Sequence, residues 1–204
     1  MARVGLIFGG RSVEHEVSVR SARAVAAALA EAGHEVVPLG IGEDGVWVGR
    51  ERAGEALESR RDVLGPGGGP VAPSLARLID DPPEVLFPLV HGTWGEDGTL
   101  QGLCEMLDLP YVGAGVTASA LAMDKVAAKR VLAAAGVPVV EYWAARREEV
   151  EAEPAAVEAA LPGFDGPFFV KPSVGGSSVG VQKVADRTCL ATAVRFALRF
   201  DDAV

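Results

Sequence analysis

The chain has 204 residues, of which 49% are apolar and 23% are charged, and its formal net charge is −9. This length suits one large domain or two small ones, with ample apolar residues for a core. The acidic balance argues against a nucleic-acid-binding surface, which needs a basic face. It does not exclude a phosphorylated small molecule such as ATP, because a phosphate site needs only a few local donors.

The chain contains two cysteines, Cys104 and Cys189, and each falls in an apolar helical pattern. This pattern predicts two buried thiols in a reducing compartment, without a disulfide framework or the spacing of a metal site. The longest apolar run near the N-terminus, Val4 to Phe8, is too short for a signal peptide or a membrane span. We therefore expect a cytoplasmic protein.

The first forty residues predict a strand, a helix and a second strand. The apolar strand from Arg3 stops at Gly9-Gly10, and the helix is expected to have Ser18 as its cap and Gly33 at its end. The second strand covers residues 35–41. Such a βαβ unit implies a parallel sheet. The glycine pair does not complete a G-x-G-x-x-G motif, so dinucleotide binding is only weakly indicated.

Glu14 lies in the loop that follows the first strand. Ligands of open α/β sheets gather beyond the carboxyl ends of the strands, so Glu14 is a candidate for holding an ammonium group. The alternative is that Glu14 and Glu16 only interact favourably with the dipole of the nearby helix. The residues taken by themselves favour this alternative.

Two turns and a third strand are predicted next. Asp44-Gly45 indicates the turn of a small hairpin that continues into residues 46–48. Residues 65–73 are rich in glycine and proline and predict a surface loop without a chemical function. Residues 84–90 predict the third strand, in which Pro88 indicates an irregular or edge position.

The third strand leads directly into a glycine-rich loop that begins with His91 and contains Glu96 and Asp97. Because His91 lies beyond the end of a strand in a glycine-rich loop, a functional role and a structural role are equally indicated for it. An amphipathic helix follows, because its apolar residues have helical spacing, and Asp97 or Thr99 is its expected cap. Those apolar residues are Leu100, Leu103, Cys104 and Leu107.

The second half of the chain restarts the alternation of strands and helices. A short strand at residues 110–113 and an alanine-rich helix from Val116 precede a helix capped by Asp124, which carries Lys125 and Lys129 on one face. A solvated surface is the commoner explanation for such lysines. Gly136 ends this helix, residues 139–145 are extended, and residues 146–161 form an acidic helix or loop. Residues 186–200 predict a last amphipathic helix.

Residues 168–184 predict a strand, a glycine-rich loop and another strand. The first strand ends at Lys171-Pro172, because Pro172 has no N–H group for a sheet. Small residues allow the backbone to approach a ligand closely, and successive N–H groups can then point at phosphate oxygens. Lys171 would add a positive charge. The loop is therefore either a phosphate clamp or a simple hairpin turn, and its composition alone favours the turn.

Taken in order, these segments resemble D-alanine–D-alanine ligases. Residues 9–18 (GGRSVEHEVS) and 91–102 (HGTWGEDGTLQG) are similar to the first two signatures of that family. Residues 111–125 and 136–138 continue the pattern, and residues 170–180 resemble the phosphate-binding loop of the ATP-grasp fold. The resemblance covers nearly the whole chain. It implies an α/β protein with a parallel-sheet, Rossmann-like pre-ATP-grasp domain at residues 1–122, which binds substrate and dimerises. Residues 123–204 would be the first, incomplete part of an ATP-grasp domain.

The resemblance also implies an activity. The family joins two D-alanines for peptidoglycan, and hence for cell wall biogenesis and cell shape, and it converts ATP to ADP and phosphate through an acyl phosphate. ATP and Mg²⁺ are the implied cofactors. D-alanine and ATP are the implied ligands, a homodimer is expected, and no nucleic acid or membrane partner is expected.

Site residues follow from the matching motif positions. Glu14 would hold the ammonium group of the first D-alanine, and His91 would lie near its carboxylate or the transferred phosphoryl group. Ser177 would belong to a mobile loop over the reacting groups and contact Glu14, so that Glu14 and Ser177 are the implied catalytic residues. The implied ATP-binding residues are Lys125, Lys171, Gly176 and Ser178.

The resemblance has one departure, because the chain ends at Val204. The family carries its Mg²⁺ ligands, a charge-stabilising arginine and most of the second substrate's pocket further along, so no metal ligand is assigned here. We therefore expect the 204 residues alone to be inactive in ligation. The alternatives are a D-alanine–D-lactate ligase, a non-catalytic binding or dimerisation module, and a dinucleotide-binding oxidoreductase.

Overall fold

The computed structural model describes residues 1–59 and 61–204, except for the side chain of Arg77. The chain forms two compact units, Met1–Ala120 and Leu121–Val204. The sequence predicted a division between residues 122 and 123. Each unit has its own apolar core, and each is described by itself below.

A parallel sheet forms the centre of the first unit. Its strands are β1 (Arg3–Gly9), β2 (Glu35–Ile41) and β3 (Val85–Pro88), in the order β2-β1-β3. Both neighbours run parallel to β1, with Val4 opposite Val36 and Val85. The predicted βαβ unit and α/β class are thus confirmed. Strand β1 is a continuous apolar run because both of its faces are buried.

The helices of this unit cover the two faces of the sheet. They are α1 (His15–Glu31), α2 (Arg50–Glu58), α3 (Val71–Ser74), α4 (Ala76–Ile79) and α5 (Thr99–Met106). Helix α6 (Val116–Met123) crosses the division between the units. Alternate residues of β1 enter different clusters, with Ile7 in one and Leu6 and Phe8 in the other. The core therefore lies on both sides of the sheet.

Helix α1 begins four residues earlier than the sequence predicted, because its cap is residue 14 and not residue 18. Its N-cap is Glu14, and Ser18 lies buried inside the helix. The hydroxyl of Ser18 accepts a hydrogen bond from Gly9 N at 2.8 Å and donates one to Leu89 O at 2.5 Å. The prediction of Ser18 as the cap was wrong, because this hydroxyl joins the ends of two strands. Gly33 follows the helix with φ of +81°, as predicted.

The hairpin and two of the strands predicted for the first unit are shorter in the structure than the sequence indicated. The hairpin at Asp44-Gly45 consists of one antiparallel bridge between Ile41 and Trp47. Strand β3 ends at Pro88, and the strand predicted at residues 110–113 is a single bridge from Tyr111 to Leu86. The loop predicted for residues 65–73 was wrong in its last part, since α3 begins at residue 71 and follows the extended Pro70.

The second unit contains a two-stranded antiparallel sheet and four helices among the residues that the structure describes. Strands β4 (Phe168–Val170) and β5 (Gln182–Val184) pair with Phe168 opposite Val184. The helices are α7 (Lys125–Ala134), α8 (Arg147–Ala152), α9 (Ala155–Glu158) and α10 (Leu190–Ala197), the last preceded by a 3₁₀ turn at Arg187–Cys189. Their core contains Val157, Phe168 and Val194.

Residues 139–145, predicted as an extended segment, contain no helix, and Ala145 exchanges two backbone hydrogen bonds with Val204. Two other local expectations for the second unit need correction. Residues 179–181 belong to a turn rather than to the second strand, which starts at Gln182. Cys189 is exposed rather than buried, because the apolar face of α10 starts one residue later at Leu190. Cys104 is buried, as predicted.

Within residues 1–59 and 61–204, no helix combines the length and apolar character needed to cross a bilayer.

Candidate functional site

Glu14 lies where the β1–α1 loop meets the loop after β3. Its backbone N–H donates to Ser12 Oγ at 3.2 Å, and the Ser12 hydroxyl donates to His91 O at 2.7 Å. Gly92 has φ of +74°, and a Cβ atom there would lie 3.1 Å from Glu14 Oε2. The half-buried Glu14 carboxylate thus packs against the backbone of Gly92. The structure brings Glu14 and His91, two predicted site residues, to the same edge of the sheet.

Glu96 organises the second of these loops. Its Oε2 atom accepts a hydrogen bond from Gly92 N at 2.7 Å, and its Oε1 atom lies 3.9 Å from His91 Nδ1. Among the residues that the structure describes, His91 Nε2 is a buried nitrogen that makes no hydrogen bond. A buried ring nitrogen of this kind is suited to a hydrogen bond with a bound ligand.

The same loop ends in a cap for α5. The Asp97 carboxylate accepts hydrogen bonds from Trp94 N at 2.8 Å and Thr99 N at 3.0 Å. Burial acts to raise the pKa of Asp97, but these two N–H groups outweigh it and lower that pKa. Gly98, with φ of +91°, occupies the N-cap position itself. The prediction of Asp97 or Thr99 as the cap was therefore wrong by one residue, although the Asp97 carboxylate, just before the cap, accepts from Thr99 N, the first N–H of α5.

In the second unit, Lys125 and Lys171 form a pair of neighbouring cations. The Lys125 ammonium donates to Gly175 O at 2.7 Å and to Ser173 O at 3.3 Å. Burial lowers the pKa of Lys125, and the charge of Lys171 lowers it further. Each positive charge disfavours the charged form of the other lysine, and an anion placed between the two ammonium groups would stabilise both charges. The arrangement fits a phosphate group.

Asp124 connects α7 to the backbone near Lys171. Its Oδ1 atom accepts hydrogen bonds from Val126 N and Ala127 N, so it caps α7 as predicted. The same atom accepts a hydrogen bond from the Ser173 hydroxyl at 2.6 Å, and Lys125 N donates to Ser173 O at 2.9 Å. The cap thereby fixes Lys125, the first residue of α7, beside the loop after β4.

The predicted loop residues Gly176, Ser177 and Ser178 form a tight turn between β4 and β5. The backbone O of Gly176 accepts a hydrogen bond from Val179 N at 3.1 Å. Ser177 and Ser178 have φ of +51° and +61° and are exposed. Positive φ at two successive non-glycine residues is uncommon. The two serines stand at the tip of the loop, where a ligand can reach them.

A cavity of about 430 Å³ lies within the second unit, lined by residues of β4 and by Lys171, Pro172 and Ser173, which follow that strand. Lysines and aromatic side chains line it together, including Lys125, Lys171, Tyr142, Trp143 and Phe169. Cations next to aromatic and aliphatic walls match the two halves of a nucleotide, its phosphates and its base. Lys129, the other predicted lysine of α7, donates to Val140 O at 3.0 Å and lies over the Tyr142 ring.

The predicted site residues fall into two sets. Glu14 and His91 belong to the first unit, and the set from Lys125 to Ser178 belongs to the second. The contact expected between Ser177 and Glu14 stays a prediction. In residues 1–59 and 61–204, no group of three or more His, Cys, Asp or Glu side chains could hold a metal ion.

Sequence reasoning missed three polar residues of the first unit, namely Ser12, His15 and Glu96. Ser12 and Glu96 make the contacts described above, and the buried His15 hydrogen-bonds to Gly10 O and Leu64 N. A signal was present, since all three lie inside the motifs at residues 9–18 and 91–102. Ser12 contacts His91, 79 positions away, and His15 contacts Leu64, 49 positions away, and local sequence patterns do not reveal such distant partners.

Two family models match the chain. The model of the D-ala D-ala ligase N-terminus matches residues 3–114, and that of the D-ala D-ala ligase C-terminus matches residues 131–204. Among curated relatives, the D-alanine–D-alanine ligase of Treponema pallidum (strain Nichols) is 44% identical over 224 aligned positions, which cover 100% of this chain and 55% of the relative. The D-alanine–D-alanine ligase of Natranaerobius thermophilus is 39% identical, with coverage of 98% and 57%.

Solved structures give the same picture. The VanG D-Ala:D-Ser ligase from Enterococcus faecalis has a TM-score of 0.77 and 32% identity, over 99% of this chain and 61% of its own. The D-alanine-D-alanine ligase from Coxiella burnetii has a TM-score of 0.76 and 30% identity, over 100% and 62%. The chain thus spans somewhat more than half the length of these relatives. Since the two family models together cover most of its residues, the chain belongs to the D-alanine–D-alanine ligase family.

Proposed function

We propose that the protein carrying this chain joins two D-alanines at the expense of ATP, and so supplies a dipeptide for peptidoglycan. The observation that carries this proposal is the meeting of Glu14 with the His91-Gly92 loop at the carboxyl ends of β1 and β3. A carboxylate and a free ring nitrogen in one place suit an amino acid, which has a positive and a negative end.

Glu14 binds the ammonium group of the first D-alanine in this proposal. Its carboxylate is half-buried, so a charge-assisted hydrogen bond there is partly shielded from water. His91 directs Nε2 at the carboxylate end of the same molecule, which is the group that must be activated. Glu96 supports this arrangement, because it holds the backbone of Gly92.

Lys125 and Lys171 bind the phosphates of ATP, and Gly176 and Ser178 contribute from the loop after β4. The mutual repulsion of the two lysines supports this assignment, as does the aromatic wall beside them. ATP supplies the phosphoryl group that turns a carboxylate oxygen of the first D-alanine into a leaving group. The chain's own residues contribute by orientation and charge, which dominate in phosphoryl transfer.

Ser177 is the residue of this loop that we assign to the closed state over the amino acid. Its exposed position and left-handed backbone support a role at the tip of a lid. Mg²⁺ accompanies ATP in this proposal, but the described residues offer no cluster that fits it. We therefore derive no step through the metal.

We infer further that the protein acts as a homodimer in the cytoplasm, and that residues 1–122 bind substrate and dimerise while residues 123–204 begin the ATP-grasp domain. Exposed apolar side chains on and near α1, Val13 and Val17, support self-association of the first unit. Two free thiols support a reducing compartment. Sedimentation equilibrium that shows only monomer at micromolar concentration would contradict the dimer.

The experiment that tests the activity uses the protein carrying this chain with ATP, Mg²⁺ and D-alanine. We expect ADP release that depends on D-alanine, and D-Ala-D-Ala as the product by mass spectrometry. D-serine and D-lactate, offered as the second substrate, test the D-Ala:D-Ser specificity named for the Enterococcus relative and the D-lactate alternative. Absence of D-alanine-dependent ADP release would overturn the proposal. Family membership already excludes the dinucleotide-binding oxidoreductase.

A further inference from the structure

His15 is buried, and both of its ring nitrogens are hydrogen-bonded to backbone groups. Nδ1 lies 2.7 Å from Gly10 O, and Leu64 N lies 3.1 Å from Nε2. The relative solvent-accessible surface of His15 is only 3%. This histidine therefore has no role in contact with solvent, and the activity proposed above does not use its ring chemically.

The two partners determine the tautomer of the ring. A backbone carbonyl can only accept a hydrogen bond, so Nδ1 must carry the proton that points at Gly10 O. A backbone N–H can only donate, so Nε2 must be the unprotonated nitrogen that accepts from Leu64. His15 consequently acts as a neutral connector with its proton on Nδ1, and neither contact can be reversed.

The surrounding backbone is shaped around this ring. Gly9 has φ of +91°, and a Cβ atom there would lie 3.2 Å from His15 Cε1, 2.8 Å from Leu64 Cδ1 and 2.2 Å from Ile41 O. The glycine at the end of β1 thus leaves the space that the ring and the Leu64 side chain occupy. Leu64 is itself buried, and its carbonyl accepts a hydrogen bond from Arg52 of α2.

His15 is also the first residue of α1, directly after Glu14. One side chain thus joins the end of β1, the start of α1 and the segment at Leu64. We propose that His15 is a positioning residue for Glu14: its single tautomer fixes the start of α1 so that the Glu14 carboxylate faces Gly92. This inference rests on the proposed role of Glu14 in binding the D-alanine ammonium group.

The first experiment reads the tautomer directly. A ¹⁵N–¹H multiple-bond spectrum of the uniformly labelled 204-residue chain distinguishes a protonated Nδ1 from a protonated Nε2. We expect the His15 ring with its proton on Nδ1 and an amide of Leu64 that exchanges slowly with deuterium. A proton on Nε2, or rapid averaging of the two forms, would overturn the inference.

The second experiment compares variants in their binding of D-alanine, followed by amide chemical shifts. His15→Ala removes both contacts, and we expect its affinity for D-alanine to fall at least about fivefold, the equivalent of one lost buried hydrogen bond. His15→Asn keeps an amide near the Nδ1 position, and His15→Gln keeps one near Nε2, so we expect each to recover part of the affinity. His34→Gln is the control, because His34 Nδ1 also accepts a backbone N–H, from Ala2 at the opposite end of the sheet.

The outcomes separate this inference from the proposed function. Wild-type affinity in His15→Ala would overturn the positioning role, as would an equal loss in His34→Gln. If His15→Ala does not fold, the Asn and Gln variants decide, and wild-type affinity for D-alanine in both would contradict the inference. If the wild-type chain does not bind D-alanine, the proposed function fails, while the tautomer and the Leu64 exchange rate still decide whether His15 is the connector.

Discussion

At the scale of single residues, the packing of the Glu14 carboxylate against Gly92 decides where this side chain points. A carboxylate in this position commonly turns back to the first N–H groups of its helix. Glu14 makes no side-chain cap hydrogen bond to α1. Its side chain extends instead to the backbone of Gly92, where φ of +74° favours glycine. The interaction with the helix dipole that the residues alone favoured stays a prediction, beside the proposed contact with an ammonium group.

The two cysteines predict a simple difference in reactivity. Cys104 is fully buried, and burial raises its pKa to about 11, whereas Cys189 is exposed. At pH 8 the Cys104 thiol stays protonated, and the thiolate is the reactive form. We expect iodoacetamide to modify one cysteine of the folded chain, identified as Cys189 by peptide mass spectrometry. Modification of Cys104 at a comparable rate would contradict this, and Cys189→Ser, which should take up no label, is the control.

At the scale of elements, the cap of α7 provides a test of how Lys125 is held. Asp124→Ala removes the acceptor for two helix N–H groups and for the Ser173 hydroxyl, and we expect a loss of stability of about 1 kcal/mol. Asp124→Asn retains a capping oxygen and should lose much less. The measurement is urea unfolding of both variants beside the wild type. Equal stability of the Ala and Asn variants would show that the cap does not hold α7.

The pair of strands β4 and β5 offers a matched test of the phosphate site. Lys171 follows β4 and Lys183 lies on β5, and each ammonium is 5.9 Å from the ring centre of Phe169. Of these two lysines, Lys171 is the one whose charge adds to burial in lowering the pKa of Lys125, and it is the one assigned to ATP. We expect Lys171→Met to weaken ATP binding by about tenfold or more in calorimetry, as the loss of a charged hydrogen bond requires. Lys183→Met should bind like the wild type, and an equal loss in both variants would contradict the assignment.

Helix and strand features were predictable from sequence where nearby residues determine them. They were missed where a hydrogen bond to a residue distant in sequence determines them. The βαβ unit, the Gly33 end of α1 and the Asp124 cap follow from periodicity and terminal residues alone. Ser18 was mistaken for a cap, because its real partners, Gly9 N and Leu89 O, come from two strands. Residues 139–145 were predicted only as extended, and among them Ala145 exchanges backbone hydrogen bonds with Val204.

At the scale of the whole molecule, the chain consists of two units with separate cores and separate sets of candidate residues. The motifs predicted Glu14, His91, Lys125 and Lys171 as candidate site residues. The supporting contacts were not predictable from the residues, because Ser12 and His91 are 79 positions apart and Lys125 and Gly175 are 50 apart. Such contacts depend on the order of strands in the sheet, which spacing along the chain does not contain.

The central claim is that the first unit binds D-alanine through Glu14. The most direct measurement is a titration of the ¹⁵N-labelled 204-residue chain with D-alanine, followed by amide chemical shifts, with L-alanine as the control ligand. Glu14→Gln is compared with Glu16→Gln, whose carboxylate is exposed in the first turn of α1.

We predict saturable shifts at residues 12–15 and 91–92 with D-alanine and weaker ones with L-alanine. Affinity should fall about tenfold or more in Glu14→Gln, because a charge-assisted hydrogen bond is lost, and should be unchanged in Glu16→Gln. Shifts that are absent from both loops, or an affinity that is the same in Glu14→Gln as in the wild type, would contradict the claim.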